Sequence, residues 1–153
     1  MSKAAKFFKY ENPLAKTVVT KGGLSAEDAI AAAEARVEEV RQPTLEDLDR
    51  GLAEIAALRE RLGDGDAAAL QSMYQEANRI VAVGGVFGLG QLGEAAYSLC
   101  ELISRFQAGG RFSRAMVDVH LDGLKLLRTP DEHDETHRDQ VLSGLRQVTA
   151  SVG

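Results

Sequence analysis

Apolar residues recur along most of this chain at three- and four-residue steps, the period of a helix with one buried face. The clearest run is Leu70, Met73, Tyr74, Ala77, Ile80, Val81 and Gly84. Upstream, Leu48, Leu52, Ile55, Leu58 and Leu62 form a second stripe. Downstream, Leu92, Ala95, Ala96, Leu99, Ile103 and Phe106 form a third, and Met116, Val117, His120, Leu121, Leu124 and Leu127 a fourth. Val141, Leu142, Leu145 and Val148 close the series. A narrower, Ala-rich seam of Ala29, Ile30, Ala33, Val37 and Val40 precedes them all.

The punctuation between stripes sets the helix ends. Ser25-Ala26-Glu27-Asp28 and Thr44-Leu45-Glu46-Asp47 resemble capping boxes, with Asp where Glu or Gln is commoner. Gln42-Pro43 between them predicts a break, hence one helix over 25–41 and another over 44–62. Gly63-Asp64-Gly65-Asp66 reads as a turn with Asp66 as the next N-cap. Further helices are expected from Gly90 to about Gln107, from Ser113 to about Leu127, and over 131–150. The last has an acidic first turn (Asp131, Glu132, Asp134, Glu135), which suits the helix dipole. Six helices with short connections predict an all-α fold, an antiparallel up-and-down bundle. Its core would span about 44–128, with an N-terminal and a C-terminal helix around it. Residues 1–24 lack helical periodicity and read as an extended or flexible arm, leaving 25–153 as a single domain.

One row on the 66–84 helix stands out. Gln71, Gln75, Asn78, Ala82 and Gly85 carry no formal charge and become smaller toward the C-terminus. In a chain that is 27% charged, such a row lets another protein approach the backbone closely.

The residues around it resemble the histidine phosphotransfer (HPt) domain family. That family's helix reads roughly Ala-His-x-Ile-Lys-Gly-x-Gly-Gly-Thr-Phe-Gly. Here the chain reads Ala77-Asn78-Arg79-Ile80-Val81-Ala82-Val83-Gly84-Gly85-Val86-Phe87-Gly88. Leu92, Ala95, Ala96, Ser98-Leu99-Cys100 and Leu102 resemble the family's next helix, and Val119-His120-Leu121-Asp122-Gly123-Leu124-Lys125-Leu126-Leu127 a later one. The likeness covers about residues 66–128 and is weak in the flanks. The arrangement also resembles small chemotaxis-cluster proteins of the CheE type.

The departures carry more information than the match. Asn78 stands where the family has its phosphoacceptor His, Val81 where it has a Lys, and Ala82 where it has a Gly beside the imidazole. A carboxamide nitrogen gives its lone pair to resonance and is no nucleophile at neutral pH. The resemblance therefore implies a degenerate, non-catalytic HPt-like adaptor in two-component or chemotaxis signalling. Its partner would be a response-regulator receiver domain or a histidine kinase, bound through Gln71, Gln75, Asn78, Ala82 and Gly85, with Arg79 and Gln91 at the edges. The Gly-rich shoulder after the helix would lie beside that surface.

Rival readings are open at this point. His120 could have taken over as phosphoacceptor, but its place on an apolar stripe favours a buried His bonded to a backbone carbonyl or a carboxylate. His133 and His137, four apart, could face one side of a helix, but no third metal ligand follows at a recognisable spacing. The glycines 84–90 follow a helix and precede no Lys, so a phosphate loop does not fit. They suit close helix approach and a sharp turn instead. Lys3, Lys6, Phe7, Phe8, Lys9 and Tyr10 could dock an acidic partner, although a loose terminus is the commoner case. The 25–41 seam could complete the bundle or pair between subunits as a homo-oligomer contact, and a purely structural or oligomerising module is the third reading.

Composition narrows the field. The net charge is −5, of which residues 1–24 contribute +4, leaving −9 on the remainder. An acidic body argues against nucleic acid, whose binding rests on Lys and Arg. Cys100 is the only cysteine, which excludes an intrachain disulfide and suits a reducing, cytoplasmic setting. No apolar run is long enough to span a membrane. No cofactor is expected.

Overall fold

The computed structural model describes residues 22–129 and 135–152. It contains five α-helices and, among the described residues, no strand. They are α1 (Ala26–Arg61), α2 (Ala67–Gly84), α3 (Gly90–Gln107), α4 (Arg114–Arg128) and α5 (Glu135–Ala150). The chain divides into two compact units, Met1–Glu39 and Val40–Gly153.

The two helices expected before residue 63 are one. α1 runs for 36 residues with Pro43 inside it. A proline removes one donor, here the N–H that would reach the Glu39 carbonyl, while its ring fixes φ near the helical value. Thr44 does not cap a new helix: its Oγ1 donates to the Val40 carbonyl at 2.6 Å, as a threonine within a helix does. Strong helix formers on both sides outweigh the single lost bond. Ser113, which the sequence offers as the cap of α4, stands at its N-terminus without a side-chain cap hydrogen bond, whereas two other caps follow the sequence. Ser25 Oγ accepts the Asp28 N–H at 3.0 Å, and Asp66 Oδ1 accepts the Ala69 N–H at 2.8 Å. Residues 131–134, expected to open the last helix, and 1–21 of the N-terminal arm lie outside the described residues.

Within the larger unit, side-chain pairs fix the helix directions. Arg59 grips Asp118 through Nε and Nη2 at 2.5 and 2.9 Å, and Arg128 grips Asp49 the same way at 2.6 and 3.0 Å. As one residue number rises the other falls, so α1 and α4 are antiparallel. The same reasoning applies to α2 against α3, from Gln71–Gln107 and Tyr74–Cys100. Arg79–Asp47 and Gly51–Glu76 join α1 to α2. α5 runs parallel to α3, since Gln91 meets Asp139, Glu94 meets Arg146 and Ser98 meets Thr149. The result is an up-and-down bundle of α2, α3, α4 and the later part of α1, with α5 laid along α3 and α4. The expected fold class holds.

The core runs through all five helices and centres on α3. Leu92, Ala95, Ala96, Leu99, Leu102 and Ile103 have no exposure at all, because α3 has neighbours on three sides. Gly84 lets α2 come that close to Gly93. A Cβ built on Gly84 would lie 2.8 Å from Gly93 Cα, inside any tolerable contact. Gly88, at φ +75°, then turns the chain back toward α3.

Gly84→Ala is therefore expected to destabilise the bundle by about 1–3 kcal/mol, the range for overpacking a close contact. Gly85→Ala meets open space and should be neutral or slightly stabilising. Urea unfolding of the two variants side by side checks the contrast; equal effects would remove the close approach as the cause.

Candidate functional site

α2 sorts its side chains sharply. Ala69, Leu70, Met73, Ala77, Ile80 and Gly84 are buried against the bundle. At about 100° per residue, the row of Gln71, Gln75, Asn78, Ala82 and Gly85 falls almost opposite that stripe. All five are exposed. The Asn78 carboxamide, at the middle of the row, offers one donor group and one acceptor to water or a partner.

The rim of this face is charged but internally matched. Arg79 is exposed and lies 2.8 Å from Asp47 and 3.0 Å from Glu76, which draws its guanidinium toward α1. The cleft there, about 460 Å³, is lined by Asp47, Arg50, Glu76 and Arg79 among others. Asp47 pairs with both arginines. Gln71 accepts a hydrogen bond from Gln107 at 3.1 Å, which steadies the first residue of the row. Gln91 is half-buried and donates to Asp139 at 2.8 Å, so its amide ties α3 to α5.

On the other side of the row lies an open groove of about 540 Å³, lined by Val81, Gly85, Gly93, Glu94, Tyr97 and Arg146 among others. Tyr97 is 63% exposed, as is Val86 at the shoulder. Reasoning from the stripe alone missed Tyr97. The signal was present, since an aromatic stands off the Leu92–Ala96–Leu99 face where a soluble helix usually carries a polar residue. Gly85 and Gly90 have free space where a Cβ would be. Steric demand within the chain therefore does not explain glycine at either position.

His120 is fully buried and both ring nitrogens are engaged. Nδ1 lies 2.8 Å from the Met116 carbonyl and donates to it. Nε2 is then the acceptor, 3.1 Å from both Ser98 Oγ and Thr149 Oγ1. Thr149 Oγ1 can donate to the Ser98 carbonyl at 3.3 Å, which leaves the Ser98 hydroxyl proton for Nε2. One neutral imidazole and two hydroxyls thus bond α3, α4 and α5 together with every polar atom satisfied. Burial holds the His120 pKa below its ordinary value, partly opposed by the Met116 hydrogen bond. The carbonyl partner matches the bland reading of this residue; the hydroxyls were not legible, because Ser98 and Thr149 are far from it in sequence.

Cys100 is likewise a core group. It is 5% exposed, and burial pushes its thiol up to about 11. At neutral pH it stays protonated and unreactive. His137 is exposed, and His133 lies outside the described residues. Among the described residues, no three His, Cys, Asp or Glu side chains converge on a metal-sized site.

The fold and this face together define a helical bundle with an uncharged, exposed helix row beside an apolar groove. No protein-family model matches the chain, and neither a curated protein nor a solved structure matches it.

The buried imidazole sets an acid limit. The unfolded chain takes up a proton on His120 below pH 6.5, whereas the folded chain resists it. Stability should be full above pH 6.5 and fall as pH drops from there through the lower folded pKa. Asp118 and Glu60, both held down by hydrogen bonds from Arg59, add their losses only lower, below their ordinary values of 3.8 and 4.5. Urea midpoints measured from pH 7.5 down to pH 5 check this. His120→Leu should flatten that slope even if it lowers the plateau; an unchanged slope would assign it to other groups.

Proposed function

We propose that this protein is a non-catalytic, HPt-like adaptor of two-component or chemotaxis signalling. It docks a response-regulator receiver domain, or a histidine kinase, on the exposed face of α2 and transfers no phosphoryl group. The observation that carries this reading is Asn78. It stands at the family's phosphoacceptor position, on the solvent face of a bundle helix, in the middle of an uncharged row. A phosphoacceptor must be reachable by its partner, and this position is. A carboxamide there can hydrogen-bond a partner but cannot attack a phosphoryl group.

Further support comes from the surroundings. The flanking charges of Arg79 are matched within the chain, so a partner meets little desolvation cost beyond that of neutral amides. The adjoining groove supplies apolar area and an exposed tyrosine, a residue type favoured at interfaces. The mechanism is occupancy: a receiver held on this face is withheld from its phosphodonor or its target. His120, the other candidate acceptor, has no exposed atom to offer and spends both nitrogens on the core.

The test is binding of the purified protein to each receiver and kinase of its own cell, with a radiolabelled transfer assay alongside. Binding without acid-labile label is expected. Asn78→Arg should weaken it by about tenfold or more, equivalent to about 1.4 kcal/mol, with the thermal midpoint unchanged because the site is exposed. Unchanged affinity would remove this face, and label on the protein would remove the non-catalytic reading.

A further inference from the structure

Residues 22–40 are exposed without exception. They nevertheless carry Leu24, Ile30, Val37 and Val40, four of the seven exposed large apolar side chains among the described residues. On α1 the steps from Ala26 to Ile30, Ala33, Val37 and Val40 are four, three, four and three, the spacing of a coiled-coil seam. A helix in water draws most of its stability from burying such a seam, and among the described residues nothing buries this one.

We propose that the seam pairs with the same seam of a second copy, the two α1 helices antiparallel. Volume is the first argument. With Ile30 opposite the partner's Val40, Ala33 falls opposite the partner's Val37, and the two-fold axis repeats both layers. Large side chains then meet small or medium ones, and the layers fill evenly. A parallel, in-register pair would stack Ala33 on its own copy and leave a gap between bulky valine and isoleucine layers.

Charge is the second argument. Glu27, Glu34 and Arg41 follow one flank of the seam at seven-residue steps, and Ala29 and Arg36 follow the other. The antiparallel pair sets Glu27 beside the partner's Arg41 at both ends. Arg41 is already steadied there, its guanidinium 5.6 Å from the Phe87 ring centre. The parallel pair offers no opposite charges and sets Arg36 beside the partner's Arg41 twice. Helix dipoles also favour the antiparallel sense. Its one electrostatic cost lies at the axis, where Glu34 faces the partner's Glu34 on one flank and Arg36 faces the partner's Arg36 on the other. These heads are exposed and well solvated, so the repulsion is small. Two heptads bury a modest area, so the dimer is a weak one.

Sedimentation of the full chain from about 1 μM to about 500 μM should show a mass rising from monomer toward dimer. Ile30→Glu should hold it at monomer with the urea midpoint of the bundle unchanged, since Ile30 touches no core. Glu34→Gln reports on orientation: it should tighten the dimer several-fold if antiparallel, by relieving the axial pair, and do nothing if parallel, where Glu34 faces Ala29. Mixing Ile30→Cys with Val40→Cys under oxidation should give the mixed disulfide in preference to either self-disulfide, the buried Cys100 being silent. A monomer mass throughout would overturn the pairing and leave the seam to another protein or to residues 1–21 of this chain. Self-disulfides in preference to the mixed one would overturn the orientation. The pairing does not depend on receiver binding, and the Asn78→Arg variant should dimerise as the parent does.

Discussion

α2 and α3 touch backbone to backbone where Gly84 meets Gly93, and the arrangement of the bundle follows from that contact. A side chain at Gly84 would force the helices apart, whereas a Cβ at Gly93 would meet Gly84 Cα at an ordinary 3.5 Å. Close approach lets α3 sink between its neighbours until six of its apolar residues lose all contact with water. It also fixes the rotation of α2 about its own axis. Ile80 and Met73 must then point inward, and Asn78 and Gln75 must point out. The orientation of the candidate docking face is thus a consequence of packing on the opposite side of the same helix.

Two kinds of polar linkage tie the bundle, beside the buried Arg138, whose Nη2 donates to the Leu127 carbonyl. Inside, where ionisation would go uncompensated, the linkage among α3, α4 and α5 uses a neutral imidazole and two hydroxyls. At the margins, where water still reaches, α1 and α4 are joined by two bidentate Arg–Asp pairs in a common register. Each such pair is worth little alone at the surface. Two of them ten residues apart on each helix nevertheless penalise any slip of one helix along the other, because both would break together.

Against this background the α2 row is defined by what it omits. It holds no formal charge, no nucleophile and no side chain engaged with the core. A surface of neutral amides and small residues costs little to desolvate and admits close backbone approach. Such properties suit recognition rather than chemistry, which is why the adaptor reading rests on Asn78 and not on a reactive group elsewhere. The Cys100 thiol and the His120 imidazole are both kept from solvent.

The helical stripes, the turn at 63–66, the Asp66 cap and the buried place of His120 could all be read from local pattern. Side-chain period and cap chemistry are properties of neighbouring residues, so a linear reading captures them. The exposed row on α2 was legible for the same reason, since one helix face follows from spacing alone. Pro43 misled because its local preference against helix is real, yet it removes only one hydrogen bond and the strong helix formers around it prevail. Tertiary packing alone decided the rest: that Gly84 is sterically required while Gly85 is not, that Arg79 and Gln91 are engaged with α1 and α5, that Tyr97 borders a groove, and that Ser98 and Thr149 satisfy His120. Each of these depends on residues 9 to 51 positions apart being brought within a few ångströms, and nothing in the local sequence encodes which distant side chain will arrive.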